Sequence, residues 1–82
     1  MDVAHLVAMA NDIANFFHAE PDRNAALDGV VSHLRRFWEP RMRRQIVAHL
    51  HATGGDDLNE LARAAVTRLA QTDPAQAAHE AG

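Results

Sequence analysis

From Val3 to Ala70, apolar residues recur at the three-and-four spacing of helices, in four blocks separated by proline, glycine and short polar breaks. The first block predicts a helix from about Val3 to His18, with Asp2 placed to cap it. Val3, Leu6, Val7, Ala10, Ile13, Ala14 and Phe17 share one face of that helix. Met9 and Phe16 widen the apolar arc to roughly 180°, whereas packing on one side of a core needs little more than about 100°. The surplus surface is Met9, Ile13 and Phe16. It fits either contact with two neighbouring helices of a bundle or a docking surface for another protein.

The second block follows the turn Ala19-Glu20-Pro21, with Pro21 suited to a first helical turn. Its stripe is Leu27, Val30, Val31, Leu34, Phe37 and Trp38, with Gly29 as an isolated helix glycine. Pro40 forces the preceding residue out of the helical region, so Glu39-Pro40 ends this helix and opens the third. The third runs to about Ala52 with Met42, Ile46 and Leu50 on its stripe, His49 at the edge and Arg43 on the apolar flank. Gly54-Gly55 stops it. Asp57, with Glu60 three residues on, has the spacing of a capping box for a fourth helix ending near Ala70. Leu58, Leu61, Ala62, Ala65, Val66 and Leu69 face its core. The expected fold is all-α: a small four-helix domain over residues 1–71 with a Pro-marked corner between helices two and three. Residues 72–82 lack large apolar side chains after Asp73-Pro74 and are expected to form a frayed or flexible tail.

Length changes this picture by limiting it. With 82 residues, the chain holds one domain. A domain of that size buries only about 60% of its unfolded surface. No cysteine is present to staple it, which leaves association as the route to added stability. The absence of cysteine also excludes thiolate zinc and iron–sulfur ligation. The net charge of −3 argues against a general nucleic-acid binder. The first twenty residues lack a basic leader pattern, and no apolar run reaches membrane-spanning length, so a soluble cytoplasmic protein is expected.

Catalytic patterns are weak. His49 and His51 point away from each other on a helix, and the remaining histidines have no ligand spacing relative to them, so no metal site is expected. Ser32 precedes His33, but adjacent helix positions do not face one another. No phosphate-binding glycine loop or nucleophile elbow is present. The chain reads as having no enzymatic activity and no cofactor of its own.

The segment His33 to Arg44 is different. It holds five of the eight cationic side chains, all arginine, beside the single Trp and a corner-forming Pro. A solvated charged face would account for it. So would a docking surface, because Arg and Trp are enriched at interface hot spots and guanidinium groups bond carboxylates bidentately. Phosphate contacts by the same arginines define a third reading, a small nucleic-acid-binding regulator, although no helix exposing base-reading Asn or Gln is evident.

Three groups of residues carry a family resemblance: Met9-Ala10-Asn11-Asp12-Ile13-Ala14-Asn15-Phe16-Phe17; Phe37-Trp38-Glu39-Pro40-Arg41-Met42-Arg43-Arg44; and Gly54-Gly55 with Leu58 and Ala65-Val66. Over about residues 5–70 the chain resembles the delta subunit of soluble NAD-dependent formate dehydrogenases. At Glu39 the resemblance implies Asp more often, which weakens the expectation of a side-chain cap there. It implies a small accessory subunit of a molybdenum- or tungsten-containing enzyme. That enzyme oxidises formate and passes electrons through iron–sulfur clusters and flavin to NAD, with those cofactors in the larger subunits. The expected role is assembly, stability or maturation of the complex, with the larger subunits as partners. Met9, Phe16, Phe17, Trp38, Pro40, Arg41, Arg43 and Arg44 are the expected interface. The arginines would pair with partner carboxylates, while Trp38 and Phe17 would serve either there or in the core. An exposed Met9–Phe16 face would also allow a homodimer of the isolated chain.

Overall fold

Each predicted block becomes a helix in the computed structural model, which describes residues 2–76. The helices are α1 (Val3–Phe17), α2 (Arg23–Phe37), α3 (Pro40–Thr53) and α4 (Glu60–Thr72). Among the described residues there is no strand. All four helices touch one another.

Local chemistry sets the ends. The Asp2 carboxylate accepts from the Ala4 amide at 3.1 Å, and Asp22 accepts from Asn24 at 2.9 Å. Asp22 is thus the cap of α2, and Pro21 lies just before the helix rather than in its first turn. Trp38 and Glu39 are extended, as a residue preceding Pro requires, and Pro40 begins α3. Glu39 makes no side-chain capping bond. Gly54 ends α3 at φ 83°, a left-handed conformation natural to glycine, and its N–H donates to the Leu50 carbonyl at 2.8 Å. Asn59, not Asp57, caps α4: its side-chain oxygen accepts from the Ala62 amide at 2.8 Å. Asp57 instead receives a hydrogen bond from His49 Nε2 at 3.0 Å.

The core contains Leu6, Val7, Ala10 and Ala14 from α1; Ala26, Val30, Val31 and Leu34 from α2; and Ile46 and Val47 from α3. Leu58, Leu61, Ala62, Ala65, Val66 and Leu69 complete it from the α4 side, as their spacing predicts. Met9, Ile13, Phe17, Leu27, Met42 and Leu50 are partly buried against it. Phe37 departs from its predicted stripe and stands 69% exposed, because α2 ends there and the chain turns away at Trp38. Trp38 is buried.

The folded structure continues past the expected boundary at residue 71. Asp73 and Gln76 are both buried, and the Asp73 carboxylate accepts from the Ala75 amide at 3.2 Å. The rest of the expected tail, 77–82, lies outside the described residues.

Candidate docking site

The last turn of α2 and the first turn of α3 meet at the Trp38-Glu39-Pro40 link, so five arginines converge on one corner. They divide into two kinds. Arg43 turns inward, with a side chain only 11% exposed. Its Nε donates to Asp73 Oδ2 at 2.7 Å, and its Nη1 donates to the Trp38 carbonyl at 2.6 Å and the Arg35 carbonyl at 3.2 Å. This one guanidinium therefore ties the end of α2, the start of α3 and the segment after α4 together. The expectation that Arg43 bonds a partner's carboxylate is corrected: a carboxylate of its own chain holds it.

Burial pushes the Asp73 carboxyl up, but hydrogen bonds from Arg43, the Ala75 amide and the Gln76 amide group outweigh that effect and hold it below the usual carboxylate range.

The other four point outward. Arg35, Arg36 and Arg41 are exposed and Arg44 is half-buried. None of them has an ion-pair partner among the described residues, whereas Arg23 pairs with Glu60 and Arg68 with Asp28. Glu39 is the sole acidic residue in the segment from His33 to Arg44. The outward corner is thus a cluster of uncompensated guanidinium groups on a backbone fixed by Trp38 and Arg43. Pro40 is exposed and sets the angle of the corner.

The aromatic residues lie on the α1–α2 side. Phe16 is 77% exposed, and its ring meets Phe17 edge to face with centroids 5.1 Å apart. Phe17 is partly buried against α2 at Gly29, where an added Cβ would stand 2.5 Å from its ring. Exposed Phe37 packs on His33, four residues earlier, with ring centroids 4.7 Å apart. Met9 and Ile13 are partly buried.

Of the eight expected interface residues, Trp38 belongs to the core and Arg43 to an internal ion pair. Phe17 and Met9 are partly buried against the core, each with part of its side chain still at the surface. Phe16, Pro40, Arg41 and Arg44 reach the surface. His33, Arg35 and Arg36 lie in the arginine-rich segment without being among those eight, and Phe37, assigned from its spacing to the apolar stripe of α2, is exposed. The signal for Phe37 was its place in the last helical residue before a Pro-directed turn, where a stripe position loses its cover.

The described residues contain no group of three His, Asp or Glu side chains arranged to hold a metal ion. None of their helices is long and apolar enough to cross a membrane. The acidic and histidine side chains closest to a functional pair, His49 and Asp57, join α3 to the loop before α4.

No curated protein and no solved structure matches the chain. The family profile of the NADH-dependent formate dehydrogenase delta subunit, FdsD, matches residues 5–66, which includes most of α1, all of α2 and α3, and about half of α4. With the greater part of its length aligned to that profile, the chain belongs to the family of formate dehydrogenase delta subunits.

Proposed function

We propose that this chain is a noncatalytic accessory subunit that supports assembly, stability or maturation of a formate dehydrogenase complex in the cytoplasm. It does so by docking the arginine corner on a carboxylate-bearing surface of a larger subunit. One observation carries the reading: Arg35, Arg36, Arg41 and Arg44 lack ion-pair partners among the described residues, while Trp38 and the Arg43–Asp73 pair hold their backbone in place. A fixed backbone beneath planar, fork-shaped guanidinium groups reduces the conformational freedom lost on pairing with carboxylates, so such a corner favours binding.

The test is co-expression with the larger subunits and purification through one of them. Arg41→Ala with Arg44→Ala is expected to leave the helical content and melting temperature of the isolated chain unchanged. Its retention on the complex should fall about tenfold or more, which corresponds to roughly 1.4 kcal/mol. Full retention of the double variant overturns the corner as the docking site. Formate oxidation by the purified chain alone overturns the noncatalytic role. Measuring the chain's stoichiometry in the mature enzyme separates a permanent subunit from a transient assembly factor.

A further inference from the structure

The two exposed phenylalanines belong to one surface. Gly29, His33 and Phe37 are spaced four apart and so lie on one flank of α2, a rise of about 12 Å from first to last. Phe17 crosses from α1 onto that flank at Gly29, and exposed Phe16 meets the Phe17 ring edge to face. Met9, Ile13 and Phe16 run along the adjoining flank of α1, with Met9 and Phe16 seven residues apart, about 10 Å. The outer seam of the α1–α2 pair therefore carries an apolar strip about two helical turns long. Phe16 marks one end and Phe37, packed on His33, the other. The Phe37 end runs directly into the guanidinium cluster, because Arg36 precedes it and Arg41 follows across the Pro40 corner.

We infer that this seam seats an amphipathic helix of a larger subunit of the complex. Its apolar face would lie along Met9, Ile13, Phe16 and Phe37, and its carboxylates at one end over Arg36 and Arg41. The inference rests on the proposed function and extends it from a charged corner to an oriented groove.

Three features favour that occupant over another. The strip matches the length of two turns of helix, the unit recognised when an apolar helix face fills a groove. Its charge is one-sided: unpaired cations stand at the Phe37 end, which fixes the direction in which an acidic-ended helix would lie. The chain also belongs to a family of subunits of a larger assembly, so a companion subunit is the expected cover. The Phe16 side chain stands clear of its own core, as an anchor would, and an exposed aromatic loses only two torsions when it is buried by a partner.

The experiment uses the full chain co-expressed with the larger subunits, comparing Phe16→Asp, Phe37→Asp and Arg41→Ala/Arg44→Ala. Circular dichroism and melting of each isolated variant come first, and both aspartate variants are expected to match the parent because their rings are largely exposed. Each aspartate variant should then lose at least tenfold in retention on the complex. A photocrosslinking amino acid at position 16, and separately at 37, should join the chain to helical peptides of a larger subunit, with the position-37 peptide richer in Asp and Glu. If the arginine variant weakens retention while both aspartate variants retain fully, the seam is overturned and the corner stands. If crosslinks from position 16 join two copies of this chain, and the aspartate variants only convert a dimer to a monomer, a second copy covers the seam and the inference is overturned. Failure of the parent chain to associate with the larger subunits at all overturns both readings.

Discussion

Arg43 grips Asp73 through a 2.7 Å bond from Nε while the same guanidinium bonds the carbonyl of Trp38 at 2.6 Å. The shape of the corner is therefore coupled to the chain segment beyond α4. The pair is buried, so its loss has a cost that surface ion pairs lack. Arg43→Ala strands a buried carboxylate and is expected to destabilise the isolated domain by about 3 kcal/mol. For a domain of this size, that is a fall of roughly 10 °C or more in melting temperature. Asp73→Asn tests the charge itself. The folded-state pKa of Asp73 is depressed, so its carboxylate contributes stability that is fully present above the unfolded value of about 3.9 and is lost as pH falls through the folded value. Urea denaturation of the parent and Asp73→Asn should show a gap at pH 7 that closes as the pH drops below about 4. A gap independent of pH would show that the Asp73 charge contributes nothing to folding.

Gly29 meets the ring of Phe17 so closely that no other residue fits between them. Replacing an isolated helix glycine with alanine usually gains about 1 kcal/mol. Here the added Cβ would lie 2.5 Å from one ring carbon and 2.6 Å from another. Phe17 must then leave its seat on α2, and overpacking of this kind costs about 1–3 kcal/mol. Gly29→Ala is thus expected to lower stability despite its better helix propensity. In the double variant Phe17→Leu/Gly29→Ala, the smaller side chain should recover part of the loss. Additive effects in that double-mutant cycle would remove the steric explanation.

Periodicity alone made the four helices and most of the core legible. The three-and-four spacing that placed Leu61, Ala62, Ala65, Val66 and Leu69 together depends only on helical geometry and on the absence of competing apolar faces, whereas Leu58 reaches the core from the loop before α4. Pro40 likewise dictated where one helix ends and the next begins. Arg43 was readable as a residue on the apolar flank of α3. Its partner was not, because Asp73 lies 30 residues away and no local pattern links them. Phe37 misled for a different reason: periodicity assigns a face but cannot tell whether another helix reaches far enough to cover its last residue. In the candidate site, charge density singles out the corner from the sequence. Which of its arginines face outward depended on that same unforeseen contact with Asp73.

The start of α4 shows what the Met9-to-Phe17 segment does besides packing. Asn11 Nδ2 donates to the Asp57 carbonyl at 2.9 Å, and its Oδ1 accepts from the Asn59 amide at 2.8 Å. The Asn59 side chain caps α4 and donates back to Asn15 Oδ1 at 3.2 Å. Two asparagines one turn apart on α1 thus fix the loop that launches α4, which is why the helix starts after Asn59 and not at the Asp57-to-Glu60 spacing. Leu58, buried between these bonds, locks the entry. Asn11→Ala removes both bonds and leaves the Asn59 amide without its partner, at an expected cost of about 1–3 kcal/mol. Asn11→Asp keeps the acceptor for that amide but loses the donor to the Asp57 carbonyl, so it should cost clearly more than a surface exchange and less than the alanine change. Amide hydrogen exchange offers a local readout: protection at Asn59 should fall in Asn11→Ala before protection in the middle of α4 does. Uniform loss across the domain would show that Asn11 acts on global stability and not on this junction.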